Sequence, residues 1–431
     1  MKIKIKKKNI AVLCILEFIL FFGFFSRYIE YSGIWNSMLA IGTIVVLGTE
    51  KKCRKSFIRN RRFMICLLCT ILLIGMGIIF ANSNEFLKDN LLTMLYPFLI
   101  CAIIFSVAYA KSEAVSNFFD MNFYLVNAIW LINLFVLSRQ ITGSGFMIKS
   151  SWLALNGFYA DQSCGLFGNS GTHELGLFSI FVLLYNFYYV DFKVESSIKR
   201  KACLFYTIIT EGMMLYFSTY NENMTLFLLM PIFAIMYILL KIDWTSHNVV
   251  KRVSKLGKYF LLMLVMVAII LSVPQQRNYI YEELSARVMK ILTFDVSVIN
   301  GSNERLAIPY YGLTNEWGWK FGKGIGAWRL HKGGYLGFNH FGLSSVGSFI
   351  NLGGIWFYLL YCFLNAIMLQ EICNRGRKSG MFLIVTLCSV ILLSIYTVIF
   401  TSSVSIIWLA LSFAILGEMK KGIDGKEDFN G

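Results

Sequence analysis

Charge is scarce in this chain. Only 15% of its 431 residues are Asp, Glu, Lys or Arg, where a soluble globular chain carries about 25%. Proline is scarcer still, with 4 in the whole sequence, so long helices can run with few breaks. There are 4 histidines, and no cluster of carboxylates or histidines has the spacing of metal ligands, so neither a metal nor another cofactor is expected. The two longest connections, at about 139–173 and 274–350, are poor in Ser-rich and charge-block sequence as well. These shortages exclude a disordered chain, a nucleic-acid-binding domain and an ordinary soluble enzyme. What fills the sequence is apolar: 57% of residues are hydrophobic and the mean hydropathy is +0.63. Only a bilayer solvates that much apolar surface, so the chain reads as an all-α polytopic integral membrane protein, one membrane domain over 1–431.

A membrane-spanning helix needs about 20 mostly apolar residues. About twelve such stretches occur, near 9–25, 33–49, 63–81, 91–110, 121–138, 174–190, 202–219, 224–240, 259–273, 351–371, 380–400 and 403–418. The net charge of +16 sets their direction. With the N-terminus inside, the inner segments hold 28 of the 40 Lys and Arg, and the short outer segments hold 4. The other 8 lie in one long loop, which the positive-inside rule leaves out. The expectation is therefore N-in and C-in. The start, Met1–Lys8 before an apolar run, has the basic region of a signal peptide, but Phe21, Phe22, Phe24 and Phe25 stand where small residues would mark cleavage. It reads as a first span that is kept. The basic stretch Lys51–Arg62 reads as a topology anchor touching anionic lipid.

The 10 cysteines carry no motif. Cys164 alone falls in an outer segment, so no outer disulfide forms within the chain. Cys66 and Cys69 have a metal-pair spacing but lie in an apolar stretch, where core packing is the expectation. Acids are rare in the spans. Glu17 and Glu211 stand out, and such residues are functional by default unless a partner such as Lys or Tyr on another helix holds them.

Two outer loops are long, at about 139–173 and 274–350. Long connections of this kind are functional or disordered, and these are rich in Trp, Tyr, Phe and Gly. The first closes on Gly165-Leu166-Phe167-Gly168-Asn169-Ser170-Gly171-Thr172-His173-Glu174, straight before a span. Such a turn presents backbone N–H groups at the anion-binding end of a helix. His173 and Glu174 are candidate site residues there, although Glu174 also has a plain role in stabilising a helix start. In the second loop, Gln275–Leu292 carries Ile280, Leu284, Val288 and Ile291 at helical spacing. An amphipathic helix at the outer interface and a helix packed over the span ends fit this equally. Pro309 and Gly312 bound a short helix carrying Arg305.

From Gly312 to Gly354 there are 12 of the chain's 34 glycines, centred on Phe321-Gly322-Lys323-Gly324-Ile325-Gly326-Ala327-Trp328-Arg329. Glycines let backbone N–H groups approach an anion closely, and turns between short segments are the ordinary alternative. No Lys-Ser/Thr pair follows, so this is not a Walker loop. Charge favours a ligand: Arg305, Lys320, Lys323, Arg329 and Lys332 face a single acid, Glu316. Arginine holds phosphate oxygens by paired hydrogen bonds and aromatic faces stack on sugars. His340, which follows Phe338 and Asn339, is a candidate acid or base, though a lone histidine is more often a structural residue.

The order Arg305, Tyr310–Leu313, Gly322-Lys323-Gly324-Ile325-Gly326, His340 and Gly353-Gly354 before an aromatic-rich span resembles the Wzy-type polysaccharide polymerases and the related O-antigen ligases. The Gly165–Glu174 turn is similar to the end of that family's earlier outer loop. Two features depart from the pattern. Asp161-Gln162-Ser163 stands where the family often has an Arg, leaving Arg139 and Lys149 as the nearest upstream cations. Tyr220-Asn221-Glu222-Asn223 replaces a Ser-Arg turn. The resemblance implies a bacterial plasma-membrane glycosyltransferase whose site faces outside. A hydroxyl of one lipid-diphosphate-linked oligosaccharide attacks the anomeric carbon of another, and undecaprenyl diphosphate leaves. Arg305, with Arg329 or Lys323, would steady the diphosphate, and His340, or else Glu174, would take the proton. Gly324, Gly326, His173, Asn169 and Arg139 would bind substrate. Membrane lipid, a flippase and a chain-length regulator are the implied partners, and nucleic acid is not. The rival readings are a glycan ligase, a lipid-linked-sugar flippase or transporter, and a membrane scaffold. No internal repeat favours the transporter.

Overall fold

The computed structural model describes residues 61–91 (less 82 and 89), 113–143, 145–148, 163–168, 171–221, 223–241, 274–286, 316–326 and 344–360, with isolated positions elsewhere. The described residues are helical and contain no strand. In chain order the elements are α1 (Arg61–Ile79), α2 (Glu113–Gln140), a 3-10 turn (Gly165–Phe167), α3 (Thr172–Phe192), α4 (Ser197–Ser218), α5 (Met224–Lys241), α6 (Pro274–Asn278) running into a π-helical turn (Tyr279–Leu284), α7 (Glu316–Trp319) and α8 (Ser345–Gly353). Asn122–Gln140 of α2 is long and apolar enough to cross a membrane by length and composition, and Leu67–Ile79 and Leu229–Leu239 are shorter apolar helices.

Helix α3 is the centre of the described fold. It packs on α5, α4 and α2, and its residues Leu175 to Asn186 are all buried. The helices around it are sorted by face in an unusual way. On α4, Thr207, Thr210, Glu211 and Ser218 lie on the buried side, while Phe205, Ile208, Ile209, Met213 and Tyr216 are exposed. On α2, Asn122, Asn127, Asn133 and Gln140 are buried, and Tyr124, Leu131, Ile132 and Phe135 are exposed. Polar groups turned inward need partners, and Asn127 finds one in Asn186, the two exchanging amide hydrogen bonds of 2.9 and 3.0 Å between α2 and α3. Further toward the C-terminal end of α3, the Tyr237 hydroxyl of α5 donates to Asp191 at 2.8 Å.

Several helices fall close to the apolar stretches, with differences at the ends. The stretch at 121–138 is extended by a polar turn at its start, because α2 begins at Glu113. Pro231 lies inside α5 without ending it. The tenth stretch does not begin as one helix at 351. Instead α8 is capped at Ser344, whose hydroxyl accepts from the Gly347 N–H at 3.0 Å, and it ends at Gly354, where φ is 73°. A second helix starts at 355. Glycine is the residue that adopts this left-handed turn without strain. The helix expected over Gln275–Leu292 is described as α6 from Pro274. It passes into π-helix, which shifts the register that its apolar spacing implied.

Candidate functional site

The segment that leads into α3 is built from backbone outward. Gly165 has φ of 63° and Gly168 of 75°, which bends 163–168 into a compact turn. Ser163, Cys164, Leu166 and Phe167 are buried, so the turn is inserted into the helices. Its backbone groups are met by amide side chains. The Gly165 N–H donates to Gln140 Oε1 at 2.7 Å and the Leu166 N–H to Asn133 Oδ1 at 2.8 Å, both on α2. Gln140 Nε2 donates onward to the Phe146 carbonyl at 3.0 Å. From the turn between α4 and α5, Asn221 Nδ2 donates to the Ser163 carbonyl at 2.9 Å and Asn223 Nδ2 to the Thr172 carbonyl at 2.7 Å.

Helix α3 leaves this turn with Gly171 as its N-cap and Glu174 in its first turn, the favourable place for an acid. His173 and Glu174 are both half-buried. Arg139 is exposed in the last turn of α2, with its guanidinium carbon 5.6 Å from the centre of the Phe135 ring. Asn169 lies outside the described residues.

The glycine run forms a second centre. The Phe321 ring stacks on Phe80 at 5.2 Å. Two N–H groups of the run donate to backbone: Lys323 to the Asn351 carbonyl at 2.7 Å and Ile325 to the Gly77 carbonyl at 3.1 Å. The Gly326 carbonyl accepts from the Phe86 N–H at 3.0 Å, and the Ile325 carbonyl from Asn90 Nδ2 at 2.7 Å. A Cβ at Gly324 would run into Ala81, and one at Gly326 would lie 2.6 Å from Asn84 Cα. The close approach these glycines allow is therefore to the chain itself, at the end of α1. Trp356 Nε1 donates to the Trp319 carbonyl at 3.0 Å, which ties the segment to the helix after Gly354. Lys320 is exposed and Lys323 half-buried on this knot. Arg305, Arg329 and His340 lie outside the described residues.

Among the described candidates, His173 and Glu174 share one helical turn, and Lys323, Gly324 and Gly326 share the knot. The bonds of the first centre run among α2, 163–172 and 219–223. Those of the second run among 77–90, 319–326 and 350–356.

Glu211 takes a partner that the sequence did not suggest. Neither Lys nor Tyr but Ser179 of α3 holds it, through a hydroxyl donating at 2.5 Å. Trp130 Nε1 and Glu211 Oε1 are both buried with no hydrogen-bond partner. Cys69 is exposed on α1 and not packed in a core. Of the four amides, Asn133 is the one whose signal lies in an apolar stretch, where any polar group must find a bond. No family model matches this chain, and neither a curated protein nor a solved structure does.

Proposed function

We propose that the chain is a twelve-span bacterial plasma-membrane glycosyltransferase that polymerises lipid-diphosphate-linked oligosaccharide units at the outer face. The membrane part of this reading draws on the apolar side chains that α2 and α4 expose, among them Leu131, Ile132, Phe135, Ile208 and Ile209. A helix in water turns polar side chains outward. The N-in, C-in topology draws on the 28 Lys and Arg of the inner segments.

The observation that carries the activity is the second loop. Its Arg305, Lys320, Lys323, Arg329 and Lys332 oppose one acid, Glu316, within the ordered series of Arg, glycines, His340 and Gly353-Gly354. In the reaction a sugar hydroxyl of the acceptor forms a bond to the anomeric carbon of the donor. The bond from that carbon to the diphosphate oxygen breaks and the lipid diphosphate departs with the electron pair. The hydroxyl proton passes to a base, for which His340 is the first choice and Glu174 the second. Arg305 steadies the charge growing on the leaving diphosphate. Exposed apolar faces offer the prenyl chains a surface beside the site.

Alanine at Arg305 or at His340 tests this in membranes supplied with lipid-linked glycan. Each substitution is expected to lower chain extension by a factor of about 100 or more, the usual scale for losing one charge-stabilising or acid–base group. Long chains from both variants at normal expression would remove these residues from the mechanism.

A further inference from the structure

The start of α3 is held in a way that the reaction outlined above does not use. Four side-chain amides end on the backbone of one ten-residue segment. Asn133 and Gln140 lie two turns apart on α2 and therefore on one face. They accept from the adjacent N–H groups of Leu166 and Gly165. Asn221 and Asn223 come from another connection and donate to the carbonyls of Ser163 and Thr172, at the two ends of the segment. All four amides are buried.

Two glycines make the fit possible. A Cβ at Gly165 would collide with the Asn133 amide, and a Cβ at Gly176 would sit 3.2 Å from Asn223 Nδ2. The arrangement also carries a cost, because Asn133 Nδ2 is buried without a hydrogen bond. A buried donor left unpaired costs about 1–3 kcal/mol. Packing alone would be served by an apolar side chain at 133. What the amide adds is direction, since it fixes the Leu166 peptide at one distance and angle. The Thr172 carbonyl held by Asn223 belongs to the residue just before His173 and Glu174.

We infer that Asn133, Gln140, Asn221 and Asn223 form an amide frame that positions the first turn of α3, and with it His173 and Glu174, for the transfer reaction. These are positioning residues, and the inference rests on the glycosyl-transfer reading for what the turn is positioned to do.

The test compares the full chain with its Asn133→Leu and Asn223→Ala variants, purified in detergent, by hydrogen exchange of peptides and by turnover of undecaprenyl-diphosphate-linked oligosaccharide. Exchange over 163–176 is expected to rise about tenfold in both variants while 197–218 keeps its protection. Turnover per folded molecule should fall about tenfold with KM within about twofold, as for a displaced catalytic group. Unchanged exchange over 163–176 overturns the frame. Raised exchange with unchanged turnover overturns its positioning role. A wild type that transfers no sugar, with the exchange difference present, overturns the glycosyl-transfer reading and supports the frame as the support of α3.

Discussion

At the scale of single residues, the glycines separate most sharply into those that matter and those that do not. Gly324 has φ of 91°, and an added Cβ would meet the backbone of Ala81. Gly75 on α1 has nothing within 4 Å of the same atom. Gly324→Ala is expected to cost about 2 kcal/mol or more, through left-handed strain and the collision together. Gly75→Ala is expected to be neutral or stabilising by up to about 1 kcal/mol, from helix propensity. Thermal unfolding of the two purified variants checks this, and an equal loss in both would contradict the packing described. The sequence showed that glycines crowd into Gly312–Gly354 but not why. Gly324 and Gly326 approach Ala81, Ser83 and Asn84, more than two hundred positions away, while Gly322 approaches Asn351 and Gly354 approaches Lys320, and no local pattern encodes either. Glu211 is similar. Its rarity in an apolar stretch was legible, while Ser179 as its partner depends on how α3 and α4 are turned against each other.

At the scale of elements, hydropathy located α1, α3, α4 and α5 to within a few residues, because an apolar run long enough to form a helix is a local property. Ends set by a left-handed glycine or a π-turn were less legible, as at Gly354 and at Tyr279–Leu284. The buried face was not legible either. In α4 both faces contain apolar residues, and the decisive feature is that Thr207, Thr210 and Glu211 are inside while Ile208 and Ile209 are outside. This gives a prediction for the exposed side. Ile209→Lys places a charge where lipid is expected, at about 2.5–3.5 kcal/mol for a position deep in a span. The share of protein resistant to carbonate extraction from membranes should drop clearly. Full membrane retention, with unchanged stability, would mean that this face of α4 meets water or protein.

At the scale of the whole molecule, the chain's excess positive charge has two meanings. Under the proposed topology most of it lies in the inner segments, where it would orient helices and touch anionic lipid. A smaller share, between Arg305 and Lys332, lies in the stretch that also carries the glycine knot. Lys320 and Lys323 of that share belong to a segment tied to the end of α1 and to α8. A segment anchored at both sides holds Lys320 and Lys323 in place before a ligand arrives, which reduces the ordering cost of binding. The amide frame at the start of α3 does the same for the first loop. In this account, two loops stabilised in different ways present acid–base groups and cations to one lipid-linked substrate.

The most direct measurement reconstitutes the purified chain in liposomes with undecaprenyl-diphosphate-linked oligosaccharide as both donor and acceptor, and follows glycan length together with the lipid released. The account predicts a ladder of repeat lengths, with one undecaprenyl diphosphate set free for each unit added. Donor that stays intact, or that crosses the bilayer without growing, would contradict it.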